Sequence, residues 1–178
     1  MNVPDDAVPS AAADAGLLRG LPPHIRDDCR VLVLGSMPGN ASLQAARYYA
    51  HPRNRFWPLM AALCGFDPAL DYPARMAALQ ARGVGLWDVI GRCRRSGSLD
   101  AAIERGSEIA SPLAARIAAL PHLRAVAFNG GASAKLGLKI LAGRRDLALI
   151  PLPSSSPAHT LRFARKLESW GPLAAYLD

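Results

Sequence analysis

Two hydrophobic patterns alternate along this chain, and that alternation limits its fold more than any other feature. Short runs of branched and leucine side chains recur: "RVLVLGS" (Arg30–Ser36), "VGLWDVI" (Val84–Ile90), "LRAVAFNGG" (Leu123–Gly131) and the start of "LALIPLPSSSPAHT" (Leu147–Thr160). Three of these runs show no polar alternation, as expected of strands covered on both faces. Between them lie stretches with apolar residues at helical spacing. "NRFWPLMAALCGF" (Asn54–Phe66) stops at Gly65, and "YPARMAALQARG" has Pro73 early and Gly83 at its end. "SEIASPLAARIAALP" (Ser107–Pro121), "ASAKLGLKILAG" and the closing "LRFARKLESWGPLAAYL" complete the set. In the last of these, Phe163, Leu167, Trp170 and Ala174 are expected to face inward, and Arg162, Arg165 and Lys166 outward. Strands that alternate with helices predict an α/β domain with a parallel sheet.

The 178 residues suit one domain with a sizeable core. Residues 1–18 are expected to form a weakly structured extension, and 19–178 the single domain. The first residues hold Asp5, Asp6 and Asp14 but no basic leader, and no apolar run nears the ~20 residues of a membrane span. A cytoplasmic protein is expected, and a monomer, since no coiled coil is evident. Cys29, Cys64 and Cys93 form no metal-binding spacing, so free thiols are expected and neither metal nor cofactor.

In open α/β sheets, ligands bind beyond the carboxyl ends of the strands. Four stretches fall there: "GSMPGNASL", "LWDVIGRC", "FNGGAS" and "PLPSSSPAHT". The first is neither a Walker loop nor a dinucleotide fingerprint. The basic, glycine-bearing stretch Gly91–Leu99 is expected to be irregular. The formal net charge is +7, and only three of the 21 basic residues are Lys, so most can make bidentate contacts to phosphate.

The densest chemistry is in "YYAHPRNRFW" (Tyr48–Trp57). Tyr48, Tyr49 and His51 offer faces on which a base can stack. Arg53 and Arg55 suit phosphates, and the Asn54 amide can bond a base edge or hold a water. Phe56, Trp57 and one of the two tyrosines are expected to be structural. In "LPSSSPAHT", Ser154, Ser155, Ser156 and backbone N–H groups could hold a phosphate, helped by the start of the last helix. A serine hydrolase using this loop and His159 is the alternative, but no GxSxG elbow supports it.

Together these motifs resemble the uracil-DNA glycosylase superfamily: "GSMPG" is similar to its first motif and "PLPSSSPAHT" to its second. "GSMPGNASLQAARYYAHPRNRFW", "GLWDVIGRCRRSGSLD" and "FNGGASAKL" are similar to the hypoxanthine-DNA (deoxyinosine) glycosylase branch. The "HPxNRFW" ending is shared with the mismatch-specific uracil/thymine enzymes. The resemblance implies a three-layer α/β/α sandwich around a four-stranded parallel sheet. It also implies double-stranded DNA containing deaminated bases as the partner, flipping of the damaged nucleotide, and release of the base to leave an abasic site.

The resemblance assigns roles. Met37 stands where many relatives carry Asp or Asn, so Asn54 is the expected catalytic residue, orienting a water. Leu152 stands where the efficient uracil enzymes begin their second motif with His. Asp88 falls at the base-reading position. Tyr49 is expected to stack on the flipped base, with Ser36, Met37, Pro38, Gly39 and His51 completing the base pocket. Arg53, Ser154, Ser155, Ser156, His159, Thr160 and Arg162 are expected to meet DNA, with Thr160 and Leu161 as candidate wedges. No Lys lies in the four strand-end stretches "GSMPGNASL", "LWDVIGRC", "FNGGAS" and "PLPSSSPAHT", so no lyase step is expected. The alternative is a lesion- or nucleotide-binding module of the same fold that lacks catalysis.

Overall fold

A computed structural model describes residues 16–177. The thirteen regular elements, two further 3-10 turns aside, are β1 (Leu18–Arg19), β2 (Val31–Gly35), α1 (Asn40–Ala45), α2 (Phe56–Cys64), α3 (Tyr72–Ala81), β3 (Val84–Asp88), β4 (Ile90–Cys93), β5 (Ile109–Ala110), α4 (Leu113–Ala118), β6 (Ala125–Asn129), α5 (Gly131–Ile140), β7 (Ala148–Leu152) and α6 (Phe163–Trp170). Four of the strands form an all-parallel sheet in the order β3-β2-β6-β7.

Its strands are the continuous apolar runs, and β2, β3 and β6 are buried at every residue. Side chains alternate between faces. Leu32, Leu34, Val126 and Phe128 pack on one side with Leu113 and Ile117 of α4 and Leu141 after α5. Val31, Val33, Ala125 and Ala127 pack on the other with Phe56, Trp57, Met60, Leu79 and Trp170 from α2, α3 and α6. The result is a four-stranded parallel sheet with helices on both faces. Pro151 sits in β7, whose outer edge needs no partner for the missing N–H.

The expected single strand Val84–Ile90 is instead two. β3 ends at Asp88 in the main sheet, and β4 pairs antiparallel with β1 and β5 in a small second sheet. Part of the stretch expected to be irregular, up to Cys93, is therefore strand. Leu18, the last residue of the proposed N-terminal extension, pairs with Cys93; residues 1–15 of that extension lie outside the described residues. The helix expected over 107–121 is shorter because Ile109–Ala110 pair with β4 and Pro112 disfavours helix in the residue before it.

The last helix differs in its faces. Lys166 is buried, whereas Phe163 is 37% exposed and Ala174 is exposed. The spacing 166, 170, 173 places Lys166 on the inward face with Trp170 and Leu173. Cys29 and Cys93 are buried and Cys64 half-buried, all as free thiols. No helix among the described residues is long and apolar enough to cross a membrane.

Candidate active site

The sheet order places a switch point between β2 and β6, whose following segments depart from adjacent strand ends. The loop after β2 is "SMPG" and that after β6 begins with Asn129-Gly130. Three of the four expected site stretches meet around this edge, and the serine loop follows the adjacent β7.

Asp88, the last residue of β3, pairs in register with Gly35. Its carboxylate lies directly over Gly35, where any Cβ would collide with Oδ1, so the glycine is required by close approach. Asp88 is 4% exposed and its Oδ2 has no hydrogen-bond partner among the described residues. Burial, then the Asp100 carboxylate, push its pKa up from 3.8 to about 7, against the opposing pull of Arg95.

The Tyr49 hydroxyl approaches the same Gly35 and is likewise buried without a partner. Asn129 is close enough to lower the Tyr49 pKa, but its amide is committed elsewhere. The net shift of Tyr49 is upward, from burial and the Asp88 charge. Tyr49 adopts a left-handed backbone (φ 54°), uncommon for an aromatic residue. Its ring stacks on Phe56, 3.8 Å between centroids and 18° between planes, so one face of the ring is already taken. Tyr48 is the structural member of the pair: it is buried and its hydroxyl donates to Pro22 O at 2.8 Å. Phe56 and Trp57 are buried as expected.

Asn54 is half-buried just before α2. Its Oδ1 accepts from Phe56 N–H at 2.9 Å, which fixes the amide plane and leaves Nδ2 and a second lone pair. The turn is closed by Asn54 N–H donating to His51 O, while His51 Nδ1 accepts from Arg53 N–H. His51 is half-buried, and Arg53 is exposed.

The first motif is roofed by residues 95–100, a segment without a role in the sequence analysis. Arg95 Nη2 donates to Pro38 O at 2.6 Å, and its Nε to Gly97 O at 2.9 Å. Asn40 N–H donates to Ser98 Oγ at 2.9 Å, and the Ser36 hydroxyl lies 2.7 and 2.8 Å from the Asp100 carboxylate oxygens. Gly39 faces Ser98, and Pro38 is buried. Met37 departs from its expected place. It is 6% exposed and packs with Leu32, Leu34 and Trp87, so only its backbone can face a bound base.

Ser155 also departs from expectation. It is 1% exposed; its N–H donates to Asn129 Oδ1 and its hydroxyl accepts from Asn129 Nδ2, both at 2.8 Å. Its carbonyl accepts from Arg55 N–H at 2.9 Å. Ser155 thus pins three site segments together and is not free for a phosphate. Ser154 and Ser156 are half-buried. His159, Thr160 and Arg162 are exposed, and with Leu161 and Arg165 they line an open concavity at the entry to α6.

Beneath this loop, Lys166 Nζ donates to His159 O at 2.9 Å and Ser156 O at 3.2 Å. Trp170 Nε1 donates to Pro153 O at 3.0 Å. Burial pulls the Lys166 pKa down, and Arg55 adds to this. Sequence reasoning missed four residues: Arg95, Asp100, Asn129 and Lys166. Only Asn129 left a signal, as an amide at a buried strand end ahead of two glycines.

A parallel sheet with helices on both faces, whose strand ends gather a buried carboxyl, a stacked tyrosine and a basic, serine-bearing loop, defines an α/β protein with its candidate site at the switch point. The profile of the uracil DNA glycosylase superfamily matches residues 22–176, and this chain belongs to that superfamily. It is 32% identical over 152 residues to a hypoxanthine DNA glycosylase of Methanosarcina acetivorans, covering 85% of this chain and 93% of the relative. It is 36% identical over 113 residues to a hypoxanthine DNA glycosylase of Methanosarcina barkeri, covering 63% and 70%. A solution structure of a candidate uracil DNA glycosylase from M. acetivorans superposes with a TM-score of 0.79 at 28% identity, covering 90% of this chain and 98% of that one.

Proposed function

We propose that this chain flips a deaminated base, hypoxanthine foremost with uracil or xanthine as further substrates, out of duplex DNA and hydrolyses its N-glycosidic bond. The observation that carries the reading is the pair of unpartnered buried polar groups, Asp88 Oδ2 and Tyr49 Oη, beside Gly35. Buried polar groups without partners are costly, and a flipped base would satisfy them. With its pKa near 7, Asp88 is largely protonated below neutrality and can then donate to a purine acceptor without opposing the negative charge of the departing base. The other face of Tyr49 stacks on the base.

Asn54 is the catalytic residue in this reading. Its amide does not titrate usefully, so it orients the attacking water through the carbonyl lone pair left by the Phe56 bond. Ser36, Gly39 and the Met37 and Pro38 backbone line the base pocket with His51. Ser154, Ser156, Arg53, His159, Thr160 and Arg162 meet the DNA, and Leu161, 40% exposed, is the wedge candidate. The Lys166 amine is committed to two carbonyls, which supports the reading of a monofunctional enzyme without a Schiff-base step.

The test is alkaline cleavage after incubation with duplexes carrying deoxyinosine, uracil, deoxyxanthosine or a thymine mispair. Release is expected with deoxyinosine. Asn54→Ala is expected to lose most turnover, about 100-fold or more, while still binding DNA; full activity in that variant would remove Asn54 from its role. The buried, apolar Met37 and Leu152 favour a second reading, a lesion-binding module. Salt-sensitive binding without release from any duplex would establish it instead.

A further inference from the structure

The chemistry above leaves one requirement without a residue. When the C1′–N9 bond breaks, its electron pair goes to the purine, which becomes anionic. Water oxygen bonds C1′, and the proton it sheds ends on the purine through solvent. Leu152, buried and apolar at the sheet edge, offers that anion nothing, and Asp88 once ionised would repel it. A positive charge held in a dry pocket would stabilise it far more than the same charge in water.

We infer that Arg95 is this counter-charge. Its guanidinium is anchored over the first motif by Nη2 to Pro38 O and Nε to Gly97 O. Its Nη1 is buried with no hydrogen-bond partner. The charged and titratable groups facing Asp88 are Asp100, Arg95, Tyr48 and Tyr49, and Arg95 is the cation among them. The Asp100 carboxylate accepts from the Ser36 hydroxyl at the exposed rim, while the Arg95 guanidinium is held by the Pro38 and Gly97 carbonyls. The arrangement sets a fixed cation near a buried acid that is neutral below its pKa, which suits a leaving group that is neutral before bond breaking and negative after it.

This assignment rests on the glycosylase reading, and its test keeps the two apart. Arg95→Gln retains a donor for Pro38 O and loses the charge; Arg95→Lys retains the charge. In single-turnover assays, Arg95→Gln should release hypoxanthine about 100-fold more slowly, with Arg95→Lys recovering much of that loss. Carbon NMR of the Asp88 carboxyl should show its pKa raised in Arg95→Gln and near the wild-type value in Arg95→Lys. An Arg95→Lys variant as slow as Arg95→Gln, or an Asp88 titration unmoved by Arg95→Gln, would overturn the assignment while leaving the glycosylase reading intact. Failure of the wild-type protein to release hypoxanthine would sink both.

Discussion

A single carboxyl shows how sequence, packing and chemistry connect in this protein. Asp88 is buried because Gly35, its register partner, has no side chain to keep it out. Burial and Asp100 raise its pKa from 3.8 to about 7, so between those values the folded state holds a proton that the unfolded chain has released. Stability therefore falls as pH rises through that window, with a slope of up to about 1.4 kcal/mol per pH unit. Asp88→Asn should abolish the slope and be more stable than the parent at pH 8. Urea denaturation at a series of pH values would show it, and a parent whose stability is flat between pH 4 and 7 would contradict the shifted carboxyl. Asp88 was legible at its strand end, because it closes an apolar run. Its protonation was not, since that depends on Gly35 across the strand pair and on Asp100 in a distant turn. Met37 and Ser155 turn inward, which their motif positions do not announce for a related reason: a motif position does not tell which way a side chain turns.

The two segments that shape the site have opposite origins at the scale of elements. Strands β2, β3 and β6 follow from their apolar runs, since only burial on both faces suits such sequences. The roof formed by Arg95, Ser98 and Asp100 has no periodicity and is held by isolated hydrogen bonds, so nothing local announced it. α6 lies between these cases. Its spacing was readable, yet the charge of Lys166 argued for solvent while its position, one turn before Trp170, argued for the core. The core won because two loop carbonyls satisfy the ammonium. Lys166→Met should leave the His159 carbonyl without this donor and Ser156 O with only the His159 N–H, costing about 1–3 kcal/mol of stability and weakening lesion-DNA binding, since Ser156 and His159 lose their shared anchor. Thermal denaturation and a DNA titration would measure both. A variant with unchanged stability and affinity would show that the clamp does not organise the loop.

Across the whole molecule, alternating strands and helices made the layered architecture readable, but not the strand order. The order β3-β2-β6-β7 creates the switch point, and it arises from crossovers that no short stretch encodes. The small β1-β4-β5 sheet was invisible because two of its strands have two residues each. At the same scale, an arginine-dominated net charge of +7 supports a polyanionic partner, and membership of a DNA glycosylase superfamily gives that charge its purpose.

The central claim is that the aromatic, amide and carboxyl groups gathered at these strand ends excise a deaminated base. It is tested most directly by incubating the protein with a duplex carrying a single deoxyinosine and treating the product with alkali. The account predicts a strand break at the lesion, produced by the wild-type protein and nearly absent with Asn54→Ala. An intact strand with the wild-type protein, under conditions where it binds the same duplex, would contradict it.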